Sequence, residues 1–302
     1  MTSIATTLQR REKSVGNARR REALVGYGFV LLPMAVLGVF FLYPIAYAIY
    51  ISFFEWGIYG KTASVGTGNY SFLFHDHVFG IALKNTLLYT FAVVPLQMAL
   101  GLTMAVVVNQ KIRGRTFFRS AFYFPSLTSS AAITAIAIYV LNADGLLNKI
   151  VGGHTPWFED SSTALWSIVG LNAWTTSGTM MLFYLAALQA IPTDVYEAAA
   201  VDGTGTWRTF SRITFPLLRP GHFFVAVVSI IGAMKVFDQA FIVSHGTGGP
   251  NNATMVVVLY LYRTAIYDAR FGRASAMGVI LLVIIMALTL IQRLAFGRPE
   301  VQ

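Results

Sequence analysis

Residues 192–220 read PTDVYEAAAVDGTGTWRTFSRITFPLLRP. This polar stretch, punctuated by Gly and Pro, lies between two long apolar runs. Pro192 ends the first run, and Asp194 is placed to N-cap a short helix with Glu197 three residues on in the capping-box position. Ala198, Ala199 and Ala200 propagate that helix. Gly203 and Gly205 permit the positive φ of a sharp turn. Thr206 then opens a second helix through Trp207, Phe210 and Ile213, and Pro216 and Pro220, which lack a backbone donor, are expected to stop it. The expectation is a compact helix–turn–helix along a membrane face. Its aromatic stripe and small alanines suit helix-in-groove contact with a partner.

The flanking runs set the class. The chain has 302 residues, of which 56% are hydrophobic and 12% charged, and its mean hydropathy is +0.62. A soluble domain of this length rarely has such a composition. With no cysteine, a disulfide framework and a thiolate metal site are both excluded. The formal net charge of +9 does not point to nucleic acid, because the cations cluster beside apolar runs, as membrane topology requires. Arg10, Arg11, Lys13, Arg19, Arg20 and Arg21 precede an apolar run from Ala23 to Phe54. That run exceeds the ~7–15 residues of a signal-peptide core and has no clear cleavage motif, so it reads as an uncleaved first transmembrane helix.

Hydropathy gives six candidate spans, at 24–52, 84–108, 118–141, 164–190, 221–243 and 276–296. Each is long and continuous, unlike the ~10-residue alternating strands of a membrane barrel. The predicted fold is an all-α integral membrane protein, a six-helix transmembrane bundle. A basic tail (1–22) precedes the membrane domain (23–297), and a short tail (298–302) follows it. With the N-terminus in the cytoplasm, the inner segments carry fifteen Lys and Arg residues and the outer ones six. The positive-inside rule then places both termini and the 192–220 loop in the cytoplasm.

The outer loops are small and rich in Gly. The stretch 253–266 is too short to span and reads as an interfacial or re-entrant helix. Gly60-Lys61-Thr62 is not a phosphate loop, since Glu55 stands where the motif needs Gly. His75 and His77 lack the further ligands of a metal site. Two polar clusters fall inside spans, where such groups usually face a cavity. One comprises Asn172, Trp174, Thr175, Thr176, Ser177 and Gly178, of which Asn172, Trp174 and Thr176 are the candidates for the substrate pathway. The other comprises Lys235, Phe237, Asp238 and Gln239, where the i, i+3, i+4 spacing places Lys235, Asp238 and Gln239 on one helix face. Amides, a carboxylate and aromatic rings are the groups that bind sugar hydroxyls and stack on sugar faces. The same residues also serve as helix-to-helix glue or mutual neutralisation.

Glu197-Ala198-Ala199, Gly203 and Ile213-Thr214-Phe215-Pro216 together resemble the EAA loop of permease subunits in binding-protein-dependent ABC importers. Phe215 stands where the family usually has Leu. Phe41-Leu42-Tyr43-Pro44, Gly68-Asn69-Tyr70, Asn85-Thr86, the stretch from Arg113 to Pro125, Phe237-Asp238-Gln239, Gly248-Gly249-Pro250 and Gly272-Arg273-Ala274-Ser275-Ala276 are similar to segments of the carbohydrate-uptake subgroup (maltose and glycerol-phosphate types). The distance from Phe237 to Gly248 is somewhat longer than usual. The resemblance implies a non-enzymatic subunit of the bacterial inner membrane. Its expected partners are a second homologous permease, two ATPase subunits that bind ATP and magnesium, an extracytoplasmic solute-binding protein, membrane lipid and a sugar. It also implies coupling to the ATPase through Glu197, Ala198, Ala199, Asp202, Gly203, Ile213 and Pro216. An ion-gradient-driven transporter and a permease for a non-sugar solute such as glycerol phosphate are the alternatives. A membrane enzyme is disfavoured by the lack of a catalytic motif.

Overall fold

The computed structural model describes residues 22–23, 25–110 and 113–296. The cations of the N-terminal tail, Lys111 and Arg298 lie outside the described residues. Two compact units divide at Ile51/Ser52. The first contains helix α1 (Val25–Ile51), 27 residues long and entirely apolar in its spanning window, with a π turn at Gly38–Leu42. This helix agrees with the expected span 24–52.

The second unit opens with an antiparallel hairpin, β1 (Phe54–Gly57) and β2 (Gly60–Ser64), and a short helix α2 (Gly68–His75). Helix α3 (His77–Asn109) is 33 residues long and starts earlier than the apolar run suggests, because Asp76 caps it by accepting from Val78 N–H at 2.9 Å. Then follow α4 (Arg115–Leu127), α5 (Ser130–Val140), α6 (Leu146–Val151) and α7 (Ala164–Gln189). Next come α8 (Thr193–Val201), α9 (206–217), α10 (Arg219–Met234) and α11 (Asp238–Val243). The chain finishes with α12 (Val257–Tyr267) and α13 (Phe271–Phe296). Helices α3 and α7 pack along most of their shared length, α10 and α4 pack against that pair, and α13 packs on α10 and α12.

Among the described residues four helices are long and apolar enough to cross a bilayer: α1, α3, α10 with α11, and α13; the bent pair α4–α5 makes a fifth if it is one span. At 26 residues, α7 is also long enough to span and carries no charge. Its Asn172, Thr175, Thr176 and Ser177 make it less apolar than the others.

Two expected spans are not straight helices. The third, 118–141, bends by 93° between α4 and α5. Pro125 removes a donor from the last turn of α4, and Thr128 then leaves the helix with an extended ψ of 146°. The fifth breaks after Met234. Lys235 and Val236 close α10 with tight bonds to Gly232 and Ala233 carbonyls at 3.2 and 3.1 Å, and Phe237 departs from helical geometry at φ −143°. In the 253–266 stretch Val257 and Leu259 of α12 are buried, as are Met255 and Val256 before it, so one side of this short helix packs on the protein.

One core cluster gathers Tyr89, Val93, Ile168, Met234, Met255, Leu259 and Met277. A second, nearer the C-terminal end of α3, gathers Val108, Met181, Tyr184, Leu188, Leu218 and Val225. Gly101 lets α3 and α7 meet there, since a Cβ at that position would stand 2.7 Å from Met180 Cβ.

Candidate functional site

The stretch from 192 to 218 forms an elbow of two short helices. Pro192, not Asp194, is the N-cap of α8, and no side chain caps its first turn. The fixed φ of proline already sets the chain entry, so the expected capping box does not form. Asp194 sits in the first turn, where its charge complements the helix dipole. The other end of α8 closes by a Schellman motif: Gly203 N–H bonds to Ala200 O and Thr204 N–H to Ala199 O, both at 3.1 Å, with Gly203 at φ +69°. A left-handed residue is what this closure needs. The Thr204 hydroxyl adds a bond to Ala199 O at 2.8 Å and meets the Thr209 hydroxyl at 2.9 Å, fixing the second limb against the first.

That limb does not stop at Pro216. It runs through an α turn (Thr206–Thr209), a π turn (Phe210–Thr214) and a final turn (Phe215–Leu217). The widened π turn accommodates the proline ring, which would otherwise clash with a carbonyl four residues back. The limb ends at Leu218, whose ψ is 4°, and Pro220 falls in the first turn of α10, where a missing donor costs nothing.

Glu197, Ala198, Asp202, Gly203 and Pro216 are exposed, Ile213 is half-buried and Ala199 is buried against the elbow itself. Val201 and Trp207 stand out at the turn, 88% and 76% exposed. The expected stripe is therefore split, with Trp207 facing outward and Phe210 and Ile213 partly covered. Under the elbow a groove of about 450 Å³ is lined by Asn109, Gln110, Tyr196, Thr204, Phe210 and Thr214 among others. The whole forms a hydrogen-bonded elbow with an exposed small-residue and acidic face.

The second polar region lies where α7 meets the bend and the break. Thr176 Oγ1 is 2.7 Å from Asn172 O and 2.6 Å from Oε1 of buried Gln97. Asn172 is half-buried and Trp174 exposed. Lys235, Asp238 and Gln239 do not share a helix face, because Lys235 ends α10 and Asp238 begins α11. Lys235 and Asp238 are exposed, and no ion pair joins them among the described residues. Gln239 is buried and donates from Nε2 to Ser130 Oγ at 2.9 Å, tying the break in the fifth span to the bend in the third. Phe237 packs on Phe241 and Tyr262, with ring centroids 5.3 and 5.2 Å away. Irregular backbone at membrane depth is tolerated where it is buried in protein or lines a cavity, as at transporter binding sites.

Several structural anchors carry no strong sequence signal. Ser126 Oγ donates to Thr175 O at 2.6 Å and accepts from Thr179 N–H at 3.2 Å. Gly178 lets α4 approach so closely that a Cβ there would stand 2.4 Å from Phe122 O. At the other end of α3, Asn85 Nδ2 reaches the carbonyls of Asn252, Ala253 and Met255 at 2.8, 3.3 and 3.0 Å. Thr86 Oγ1 accepts from Val257 N–H at 2.9 Å. These bonds fix the 244–256 loop. Tyr260 donates its hydroxyl to Asp76. Burial first, then the Asp76 bond and charge, hold the Tyr260 phenol above its ordinary pKa. Among the described residues no group of three or more acidic, His or Cys side chains could hold a metal.

A broken-helix membrane bundle with an exposed acidic and alanine-rich elbow is the arrangement of a transport permease. Residues 97–298 match the family described as binding-protein-dependent transport system inner membrane component, and the chain belongs to that family. It is a multi-pass membrane component of a transport system and not an enzyme. The chain is 32% identical over 298 residues to the probable ABC transporter permease protein YesP of Bacillus subtilis, covering 96% of this chain and 95% of YesP. It is 33% identical over 276 residues to the lactose transport system permease protein LacF of Rhizobium radiobacter, covering 88% and 92%. A chain of the bacterial alginate ABC transporter, solved in complex with its alginate pentasaccharide-bound periplasmic protein, superposes with a TM-score of 0.77 at 22% identity, covering 91% of this chain and 94% of that one. That likeness concerns the fold.

Proposed function

We propose that this chain is a permease subunit of an ATP-driven sugar importer, forming half of the translocation pathway. It takes force from a separate ATPase through the 192–220 elbow. The observation that carries the reading is the elbow: a helix closed by Gly203 presents Glu197 and Ala198 outward on a rigid support, as a handle for a foreign groove requires. The sugar reading is supported by relatives named for lactose (LacF) and for arabinooligosaccharides (AraP, 33% identical over 260 residues). In this reading six helices span the bacterial inner membrane, α7 being the one of lowest apolarity, and both termini are cytoplasmic. The partners are a second permease, two ATPases that bind ATP and magnesium, and an extracytoplasmic binding protein. An ion-gradient-driven transporter would find its support in a Lys235–Asp238 pair. The broken helix and the lack of an ion pair between the two leave it without support.

The test is to reconstitute the assembled transporter and to measure sugar uptake and ATP hydrolysis together. Glu197→Lys and Gly203→Asp are expected to reach the membrane, to abolish uptake and to uncouple hydrolysis. Wild-type uptake by both variants, or uphill accumulation by vesicles holding this chain alone, would overturn the reading.

A further inference from the structure

His222 is nearly buried and lies one turn into α10, where the elbow, α7 and α10 converge. Its Nε2 is 3.2 Å from Phe215 O in the last turn of the elbow, and its Nδ1 is 3.0 Å from Tyr184 Oη on α7. A carbonyl can only accept, so the Nε2 nitrogen carries the proton. Nδ1 is then the acceptor and the Tyr184 hydroxyl the donor. The three groups form one directed chain, Tyr184 O–H to His222 to Phe215 C=O. Ring contacts follow the same route. The imidazole centroid is 4.5 Å from the Phe215 ring and 5.4 Å from the Tyr184 ring. Beside it α10 lies tight on α7, where a Cβ on Gly221 would stand 2.8 Å from Ala187 Cβ. Tyr184 is only 1% exposed, so its hydroxyl has no easy alternative in water, and a buried donor without a partner is costly.

We propose that His222 is the positioning residue that passes displacement of the elbow to α7, the helix that carries Asn172 and Thr176. The proposal rests on the coupling reading above. Leu218, with its non-helical ψ of 4°, is a natural pivot between elbow and α10. A second limb that turned there without a cross-tie would reach α7 only through the first limb and the 190–192 joint. The imidazole supplies that tie through two bonds in opposite senses, one to each moving part. Coupling of this kind travels through packed groups that move as one.

The experiment uses the assembled transporter in vesicles and reads sugar molecules imported per ATP hydrolysed, with kcat and KM for uptake. His222→Leu removes both bonds and is expected to lower the ratio about tenfold, the worth of leaving a buried polar group unpaired, through kcat and with little change in KM. His222→Gln can donate to Phe215 O and accept from Tyr184, and it is expected to restore the ratio to within about twofold. Tyr184→Phe cuts only one bond and falls between them. A merely structural role would lower the amount of assembled complex without changing the ratio. An unchanged ratio in His222→Leu, or a Gln variant as uncoupled as the Leu variant, overturns the proposal. If His222→Leu does not assemble, Tyr184→Phe decides, and a wild-type ratio there is equally fatal. Glu197→Lys is run alongside: uncoupling by Glu197→Lys with normal His222 variants rejects only the joint, whereas normal behaviour of Glu197→Lys rejects the coupling reading itself.

Discussion

The elbow at 192–218 and the break at 235–237 interrupt the same apolar chain within one helix length of each other, yet they are built in different ways. The elbow is made locally. Its entry comes from Pro192, its turn from the positive φ of Gly203, and the bonds at that turn join residues five apart, Thr204 to Ala199 and to Thr209, while Thr214 reaches Tyr196 only eighteen positions back. The break is made by distant partners. Gln239 reaches Ser130 across 109 positions of sequence, and Phe237 is held by Tyr262. A locally built element keeps its shape when its surroundings move, which suits a handle. An element held by its neighbours changes when they move, which suits a gate.

The sharpest contrast is between two glycines. Gly178 is needed for space, since a Cβ there meets Phe122 O at 2.4 Å and Tyr123 Cα at 2.9 Å, backbone atoms that cannot swing aside. Gly203 is needed for conformation, since a Cβ there meets nothing within 4 Å but the φ is left-handed. Gly178→Ala is expected to destabilise the protein by about 3 kcal/mol through overpacking. Gly203→Ala is expected to cost about 1 kcal/mol through backbone strain, and Gly203→Asn less, because Asn tolerates that region. Thermal unfolding of the purified permease in detergent measures all three. Equal losses at both glycines would erase the distinction between a packed crossing and a local turn.

The same division separates what is legible in the sequence from what is not. The elbow's two helices and the residues on its outer face were legible because Pro, Gly and Ala act on their own backbone. Even there, the pattern assigned the cap to Asp194 where Pro192 holds it, and it stopped the second limb at Pro216, which a π turn carries through. The first, second and last spans were legible from length and apolarity, and the helix at 164–189 from its length. The bend at Thr128 and the break at Lys235 were not, because an apolar run has the same hydropathy straight or broken. Placing Lys235, Asp238 and Gln239 on one face followed from assuming an unbroken helix. Gln97, Ser126, Ser130, Tyr184 and His222 gave no motif, since each acts through a partner far away in sequence. Asn85-Thr86 drew notice only as a resemblance, and its role in pinning the 244–256 loop required the fold.

That loop supplies a second, smaller effect. Asn85→Ala removes an amide that serves three carbonyls; those of half-buried Asn252 and Ala253 can turn to water, whereas that of buried Met255 cannot. The expected loss is about 2 kcal/mol, that of a few hydrogen bonds partly replaced by water. Hydrogen exchange should show it as faster opening of 244–256 with the elbow amides unchanged. Exchange that also rises across 192–218 would mean that the two ends of α3 are one cooperative unit, and the description of the elbow as locally built would have to be given up.

The smallest effect concerns Lys235 and Asp238. On an intact helix buried in a membrane their charges would hold each other, and removing one would strand the other at a cost of several kcal/mol. In the broken segment they sit on different elements, both exposed, with no ion pair between them. Lys235→Ala, Asp238→Ala and the double variant should therefore be additive in stability, with an interaction energy below about 0.5 kcal/mol. Substrate contact would show separately, as a change in KM for sugar uptake in either single variant. An interaction energy above about 1.5 kcal/mol would mean that the two charges meet in a state with the fifth helix continuous, and the break would then be one of two conformations rather than a fixed feature of the span.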